Sequence, residues 1–175
     1  MSWRIKPDKA ALVVVDAQDE FWKSFPGIEN LEKKLSRLIQ GAAALDVPVY
    51  FTELTSGGGV VSSLKKLAPE GEIFSRAEFS AGGVLKKIDR PDIILAGVEA
   101  HAAVRQTAYD LRISGKIPHL VVDAIGARDE LCKDVAFGEM SADRFLMTTT
   151  EACLFELLGS LENPRFEEIV KLLAG

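Results

Sequence analysis

The sequence contains little cysteine and no long apolar segment, and each absence excludes a class of protein. Its two cysteines, Cys132 and Cys153, form no C-x-x-C pair, so we expect neither a disulfide framework nor a zinc site. No stretch approaches the roughly 18 consecutive apolar residues of a membrane span. Residues 1–8 lack the apolar segment of a secretory signal peptide. These features predict a cytoplasmic protein that does not bind membranes.

Clustered positive charge is also missing. The 21 Lys and Arg residues are outnumbered by 26 Asp and Glu residues, which gives a formal net charge of −5 at pH 7. Binding to nucleic acid needs clustered Lys and Arg side chains that neutralise phosphates. We therefore expect no nucleic-acid partner.

The chain nevertheless has enough apolar residues to build a core. Of its 175 residues, 47% are hydrophobic and 27% are charged, and both values are ordinary for a globular protein. This length suits one domain, and no repeat, low-complexity tract or linker interrupts the sequence. We expect residues 1–175 to form a single domain.

Short runs rich in Val, Ile and Leu alternate with longer segments of helical periodicity. The apolar runs predict strands over residues 11–15, 47–52, 93–98, 120–122 and 145–147. Helical spacing and capping residues predict helices over residues 28–45, 100–114, 129–137 and 151–158, and a final helix after Asn163-Pro164. Strands that are joined by helical crossovers run parallel. The predicted fold is a three-layer α/β/α sandwich with a central, mostly parallel sheet.

The carboxyl ends of the predicted strands are where such sheets bind ligands. Asp16 directly follows the first strand, and it is either a base that activates a nucleophile or an N-cap or salt-bridge residue. Asp123 and Arg128, near the end of the fourth strand, either line a site or form an ion pair. The loop over residues 55–63 contains three successive glycines without a following G-K-[ST] sequence, which favours a mobile lid over a phosphate site.

Several short motifs occur together in one order along the chain. They are Asp16-Ala17-Gln18-Asp19-Glu20-Phe21, Val47-Pro48-Val49 before Thr52-Glu53, Phe79-Ser80, Gly97-Val98-Glu99-Ala100-His101, and Thr107-Ala108 followed by Val121-Val122-Asp123-Ala124. In this order the chain resembles the isochorismatase-like hydrolases, a superfamily that includes isochorismatase, nicotinamidase and N-carbamoylsarcosine amidohydrolase. The resemblance extends from about residue 11 to residue 173, and the C-terminal part looks most similar to the isochorismatase-domain-containing branch.

The resemblance implies a catalytic Asp, Lys and Cys. In the family the Asp accepts the thiol proton, the Lys stabilises the thiolate, and the thiolate attacks a carbonyl carbon. Asp16 matches the Asp, but Arg76 stands at the Lys position and Ala103 at the Cys position. Ala has no nucleophile, and Arg cannot give up its proton. We therefore expect no covalent thiol catalysis, and we expect Cys132 and Cys153 to be structural residues.

The resemblance also implies a backbone site around the replaced cysteine. It predicts a cis peptide bond between Val98 and Glu99, with the N–H groups of Glu99 and Ala103 forming an oxyanion hole. Residues 52–61 lack the His and Asp residues that bind a metal in some family members, so we predict no metal and no cofactor. The expected ligand contacts are Gln18, Phe21, Trp22 and, unless it is structural, His101.

Two functions follow from these residues. In the first, Asp16 activates water to hydrolyse a small amide, ester or vinyl ether, while Arg76 and backbone N–H groups stabilise the oxyanion. In the second, the protein is catalytically inactive and binds a small carbonyl or carboxylate compound, or serves only as an oligomeric partner. By the resemblance we expect a homo-oligomer, with Trp3 or the C-terminal helix at the interface.

Overall fold

A computed structural model describes residues 4–175, and a six-stranded sheet lies at its centre. The strands are β1 (Ala10–Val15), β2 (Val49–Leu54), β3 (Glu72–Arg76), β4 (Asp92–Val98), β5 (Ile117–Gly126) and β6 (Leu146–Thr148). They pair in the order β3-β2-β1-β4-β5-β6, and every pairing is parallel. The predicted parallel sheet is confirmed.

In the part of the chain that the structure describes, eight α-helices connect or follow the strands. They are α1 (Asp19–Trp22), α2 (Ile28–Ala44), α3 (Ser62–Lys65), α4 (Gly82–Leu85), α5 (Arg105–Ile113), α6 (Glu130–Ala142), α7 (Thr150–Leu158) and α8 (Phe166–Ala174). A π-helical turn, Ala100–Val104, precedes α5. Within residues 4–175, no helix is both long and apolar enough to cross a membrane. Trp3, which we expect at an interface, lies outside the described residues.

Two apolar clusters cover the two faces of the sheet. Because successive side chains of a strand point to opposite faces, Leu12 and Val14 of β1 pack with α2, α7 and α8. Val13 and Val15 pack on the other face with α4, α5 and α6. All six residues of β1 are buried, which explains its uninterrupted apolar sequence. The two clusters confirm the predicted three-layer sandwich.

Gly97 brings the end of β4 close to β1. Its φ is +109°, and a Cβ at this position would lie 2.1 Å from the carbonyl oxygen of Val15. Only glycine fits such a backbone at such a distance. The close approach places the residues after β4 beside Asp16, which follows β1.

Strand β3 is an element that the apolar pattern does not predict. It is the edge strand of the sheet, and only Phe74 and Arg76 are buried while its other three residues are exposed. A five-residue edge strand with one buried apolar side chain carries little hydrophobic signal. Arg76 is therefore the last residue of a strand, rather than part of a loop.

The loop over residues 55–63 is anchored to the segment that leads into α1. The Asp19 N–H donates to the Gly59 carbonyl at 3.0 Å, and the Val61 N–H donates to the Ala17 carbonyl at 2.8 Å. The Gln18 amide also donates to the Gly58 carbonyl at 2.6 Å. These bonds attach the middle and the end of the loop to the segment that leads into α1, and its role as a mobile lid remains a prediction.

Candidate functional site

A pocket of about 140 Å³ lies at the carboxyl ends of β1, β2 and β4. In the strand order, β1 is flanked by β2 on one side and β4 on the other, so this is a point where the direction of the connections reverses and where α/β sheets bind ligands. The residues that line it are Asp16, Phe21, Leu54, Phe79, Val98, Glu99, Ala102, Ala103 and Arg128. Six of the nine are apolar, and the other three are charged.

A buried ion pair forms one side of the pocket. Arg76 Nη1 donates to Asp16 Oδ1 and Arg76 Nη2 donates to Asp16 Oδ2, each at 2.7 Å. The side chains of Asp16 and Arg76 are only 4% and 2% exposed. Thr52 also donates its hydroxyl to Asp16 Oδ1 at 2.8 Å. The carboxylate therefore accepts three hydrogen bonds from groups at the ends of β2 and β3.

Backbone conformation and a second acceptor hold this pair in place. Asp16 has a φ of +49°, in the left-handed region that Asp adopts more readily than most residues. Arg76 Nη2 also donates to the Phe79 carbonyl at 2.8 Å, while its Nε is buried without a partner among residues 4–175. The guanidinium thus connects the ends of β1 and β3 to the segment that carries Phe79.

The opposite side of the pocket is built from the turn after β4. The peptide bond between Val98 and Glu99 is cis, as the resemblance implies. The π-helical turn follows directly and brings Ala102 and Ala103 to the pocket, with Ala103 only 3% exposed. Ala103 and Asp16 therefore line the same pocket. The predicted direction of the Glu99 and Ala103 N–H groups remains a prediction.

A second ion pair lies at the mouth of the pocket. Arg128 Nε donates to Glu99 Oε1 at 2.7 Å, and the Arg128 backbone N–H donates to Glu99 Oε2 at 3.3 Å. The Arg128 side chain is 61% exposed. Arg128 thus lines the pocket, and its ion-pair partner is Glu99 rather than Asp123. Asp123 lies elsewhere, 3.0 Å from Lys34 Nζ.

The predicted ligand-contacting residues have different positions in the structure, and only Phe21 lines the pocket. The Gln18 amide is buried and exchanges hydrogen bonds with both backbone groups of Leu54. Trp22 is 6% exposed and donates its indole N–H to Glu32. His101 lines a separate groove, which it shares with Cys132. The hydrogen bonds of Gln18 and Trp22 are therefore used to hold the pocket's supporting segments together.

Sequence reasoning overlooked several residues of the site. Thr52 is fully buried and donates to Asp16, and its signal in the sequence was a polar residue at the end of the apolar run over residues 47–52. Leu54, Phe79 and Ala102 line the pocket without polar chemistry. Apolar lining residues look like any other core or surface residue in a sequence.

Neither of the two cysteines lines the pocket. Cys153 is completely buried in α7, and burial raises the pKa of its thiol to about 12. Cys132 is half-buried on α6 and faces the groove that contains His101. A thiol from elsewhere in the chain therefore does not occupy the place of a side chain at position 103.

Comparison with known proteins gives one consistent family. The sequence profile of the Isochorismatase domain matches residues 10–152. The Isochorismatase domain-containing protein 2 of Danio rerio is 30% identical over 178 residues, which cover 98% of this chain and 90% of that protein.

Solved structures agree with this match. The structure named MAR1 ribonuclease from Caenorhabditis elegans has a TM-score of 0.91 and 34% identity, and the match covers 98% of this chain and 93% of that one. The Escherichia coli YcaC gene product, described as an octameric hydrolase of unknown specificity, has a TM-score of 0.89 at 21% identity. That match covers 98% of this chain and 89% of that one and shows a shared fold.

Proposed function

The chain belongs to the isochorismatase family, and from this premise we propose that its pocket binds a small carbonyl, amide or vinyl-ether compound without thiol catalysis. The observation that carries the proposal is the place of Ala103, which lines the same pocket as Asp16. At the position where the resemblance implies a nucleophile, the pocket presents a methyl group. A pocket that is open but has no nucleophile favours binding over covalent catalysis.

The Asp16–Arg76 pair supports binding over hydrolysis. A general base needs a lone pair within hydrogen-bond reach of the proton that it removes. Asp16 already accepts two hydrogen bonds on Oδ1 and one on Oδ2, so about one of the four lone pairs of the carboxylate is left to accept a proton. Both Nη atoms of Arg76 bond to Asp16 or Phe79, so its charge is neutralised by a partner inside the protein. The pair is suited to fixing the shape of the pocket.

The turn after β4 favours binding of a ligand that carries a carbonyl oxygen. Backbone N–H groups in the first turn of a helix have no partner within that helix. If the N–H groups of Glu99 and Ala103 face the pocket as predicted, they donate to such an oxygen in the way an oxyanion hole does. A carbonyl compound would then be bound without being cleaved.

A ligand panel with a blocked pocket tests this proposal. Small amides, carboxylates and vinyl ethers are added to isotope-labelled protein, and NMR shift changes are followed for the wild type and for Ala103→Leu. The larger side chain fills part of the pocket, so we expect binding to be lost. Ala142→Leu, which adds the same atoms at an exposed position at the end of α6, should bind as the wild type does. Binding that survives in Ala103→Leu contradicts the proposal.

The same panel distinguishes binding from hydrolysis. Products are measured for the wild type, Ala103→Leu and Asp16→Asn, after circular dichroism has shown that each variant is folded. We expect no turnover above the buffer rate in any of them. Turnover in the wild type that is lost in both variants would instead support hydrolysis by water with Asp16 as the base.

Restoring the missing side chains tests whether the pocket remains open. Ala103→Cys with Arg76→Lys is made in a Cys132→Ser background, which removes the half-buried thiol. We expect iodoacetamide to label position 103 in the folded protein, and to label it more slowly when Arg76 is retained, because a paired guanidinium is a poorer neighbour for a thiolate. A double variant that stays unlabelled would leave only a structural role for this family member.

RNA cleavage is the alternative against which the binding proposal is tested, because the C. elegans relative is named a ribonuclease. His101 is the titratable side chain that such a reaction would use, but its Nε2 lies 3.8 Å from Glu99 Oε2, which is longer than a hydrogen bond. The net charge of −5 argues against RNA as a ligand, and we expect no cleavage of labelled single-stranded RNA. Cleavage that is lost in His101→Ala would favour this candidate over the first.

We also propose that the protein forms a homo-oligomer in the cytoplasm. The description of the E. coli neighbour as octameric supports assembly. Size-exclusion chromatography with light scattering measures the mass in solution, and we expect a multiple of the chain mass. A monomer at micromolar concentration would contradict this part of the proposal.

A further inference from the structure

One side of α6 is exposed and carries no charge. Four residues at helical spacing form this side, which we call the α6 face: Leu131, Val135, Gly138 and Ala142. Leu131 and Val135 are large apolar residues that are 70% and 61% exposed. We propose that the α6 face is the surface through which two copies of this chain associate, and this proposal rests on the homo-oligomer proposed above.

Gly138 is a residue that the fold of a single chain does not explain. Glycine inside a helix is destabilising, because it loses more backbone freedom than any other residue. A Cβ atom at this position would meet nothing within 4 Å, and the φ of Gly138 is not positive. Neither packing within residues 4–175 nor backbone conformation therefore requires glycine here. The close approach of a second molecule does, because only glycine leaves room for it.

The order of large and small residues on the α6 face fits a second copy of the same helix. Leu131 and Ala142 have the same midpoint as Val135 and Gly138, between residues 136 and 137. A two-fold axis at this midpoint makes the two helices antiparallel. Leu131 then faces the partner's Ala142, and Val135 faces the partner's Gly138. Each large side chain meets a small one, as expected for a self-complementary interface.

Other arrangements and other partners fit the α6 face less well. A parallel pair would place Leu131 against its own copy and leave a gap between the two Gly138 residues. A helix that binds a membrane surface has Lys and Arg on its polar side, and nucleic acid also needs such residues. The charged residues of α6 are mostly acidic: Glu130, Lys133, Asp134 and Glu139. A second copy of the chain is therefore the partner that the face favours.

Substitution of Gly138 tests the interface. Gly138→Leu places a large side chain where the partner's Val135 must pack, so the dissociation constant should rise by about tenfold or more. Light scattering after size-exclusion chromatography, over a dilution series, measures it. Leucine favours a helix more than glycine does, and circular dichroism verifies the fold. The matched control is Gly83→Leu on α4, where glycine is also exposed and a Cβ also meets nothing within 4 Å. This variant should associate as the wild type does.

A second variant tests the antiparallel pairing. Val135→Ala combined with Gly138→Leu exchanges the large and small positions that face each other across the two-fold axis. The double variant should therefore recover most of the association that Gly138→Leu loses. A parallel pair would not recover, because each leucine would still meet another leucine. Failure to recover would thus overturn the proposed pairing.

The remaining outcomes separate this interface from the proposed function. If Gly138→Leu associates as tightly as the wild type, or if Gly83→Leu loses association equally, the α6 face is not the interface, although the homo-oligomer stands. If the wild type is a monomer, the homo-oligomer and its interface fail together. All the residues that line the pocket belong to one copy, so ligand binding should be the same in Gly138→Leu and in the wild type.

Discussion

The two carboxylate–arginine pairs of the pocket have the same chemistry and opposite surroundings. Asp16 and Arg76 are 4% and 2% exposed and share two parallel hydrogen bonds of 2.7 Å. Glu99 and Arg128 are 17% and 61% exposed and share one side-chain bond of 2.7 Å. Burial keeps Arg76 paired with Asp16, because an unpaired charge in the interior is costly. Exposure lets water solvate Arg128, so its pairing with Glu99 contributes little to stability.

The difference has a structural origin. Asp16 follows β1, and Arg76 is the last residue of β3. Thr52 belongs to β2, which lies between these two strands in the sheet. Three strands of a packed sheet therefore define the geometry of the buried pair. Arg128 lies in the short segment between β5 and α6, where water can solvate it.

Breaking the buried pair should have the largest effect on stability. Arg76→Met leaves the carboxylate of Asp16 buried without its counter-charge, and such a loss costs about 3–5 kcal/mol. Urea denaturation measures the free energy of unfolding. Asp16→Asn combined with Arg76→Met removes both charges and should recover part of the loss. A single variant that loses less than about 1 kcal/mol would mean that the pair is effectively solvated.

Removing the third hydrogen bond of Asp16 should have a smaller effect. Thr52→Val keeps the shape of the side chain but removes the hydroxyl that donates to Asp16 Oδ1. A hydrogen bond to a charged group contributes about 1.5–3 kcal/mol, so the free energy of unfolding should fall by that amount. The control is Thr148→Val at the half-buried edge strand β6, whose hydroxyl makes only a 3.5 Å contact. Equal losses in the two variants would argue against a special role for Thr52.

Breaking the exposed pair should change stability least. Arg128→Ala removes the side-chain bond to Glu99, and exposed ion pairs contribute only about 0–1 kcal/mol. The same urea experiment should therefore show a loss within this range. A loss as large as that of Arg76→Met would show that Arg128 stabilises the fold as strongly as the buried pair does.

The two cysteines repeat the comparison of a buried with an accessible group. Because burial raises the pKa of Cys153 to about 12, almost none of its thiol is ionised at about pH 8, and the thiolate is the reactive form. Iodoacetamide should therefore modify half-buried Cys132 and leave Cys153 unmodified in the folded protein. In denaturant both should react, as mass spectrometry of peptides can show. Rapid modification of Cys153 under native conditions would contradict its burial.

Much of the fold was predictable because its central strands are apolar throughout. The segments over residues 11–15 and 93–98 are continuous apolar runs, and both are strands within the sheet. Strand β3 escaped prediction because an edge strand with one buried apolar residue has no such run. The resemblance identified Arg76 as a site residue, but the apolar pattern did not predict that Arg76 is the last residue of a strand.

The site was predictable where chemistry marks a residue and unpredictable where packing decides. Asp16 and Ala103 line the pocket, and they were identified from the motifs around them. Gln18 belongs to the same motif, yet its amide is used to hold Leu54 and Gly58. The polar character of a side chain in a sequence does not tell whether its partner is a ligand or the backbone of another loop.

The amino-acid sequence alone determined the layered parallel sheet, the carboxylate after β1 and the absence of a thiol at position 103. These follow from local composition and order along the chain. Only the tertiary structure decided that Arg76 forms a buried ion pair with Asp16, whereas Arg128 is largely exposed at the mouth of the pocket. The reason is physical: the partner and the solvation of a charge depend on which segments fold against it, and those segments lie 60 and 29 residues away along the chain.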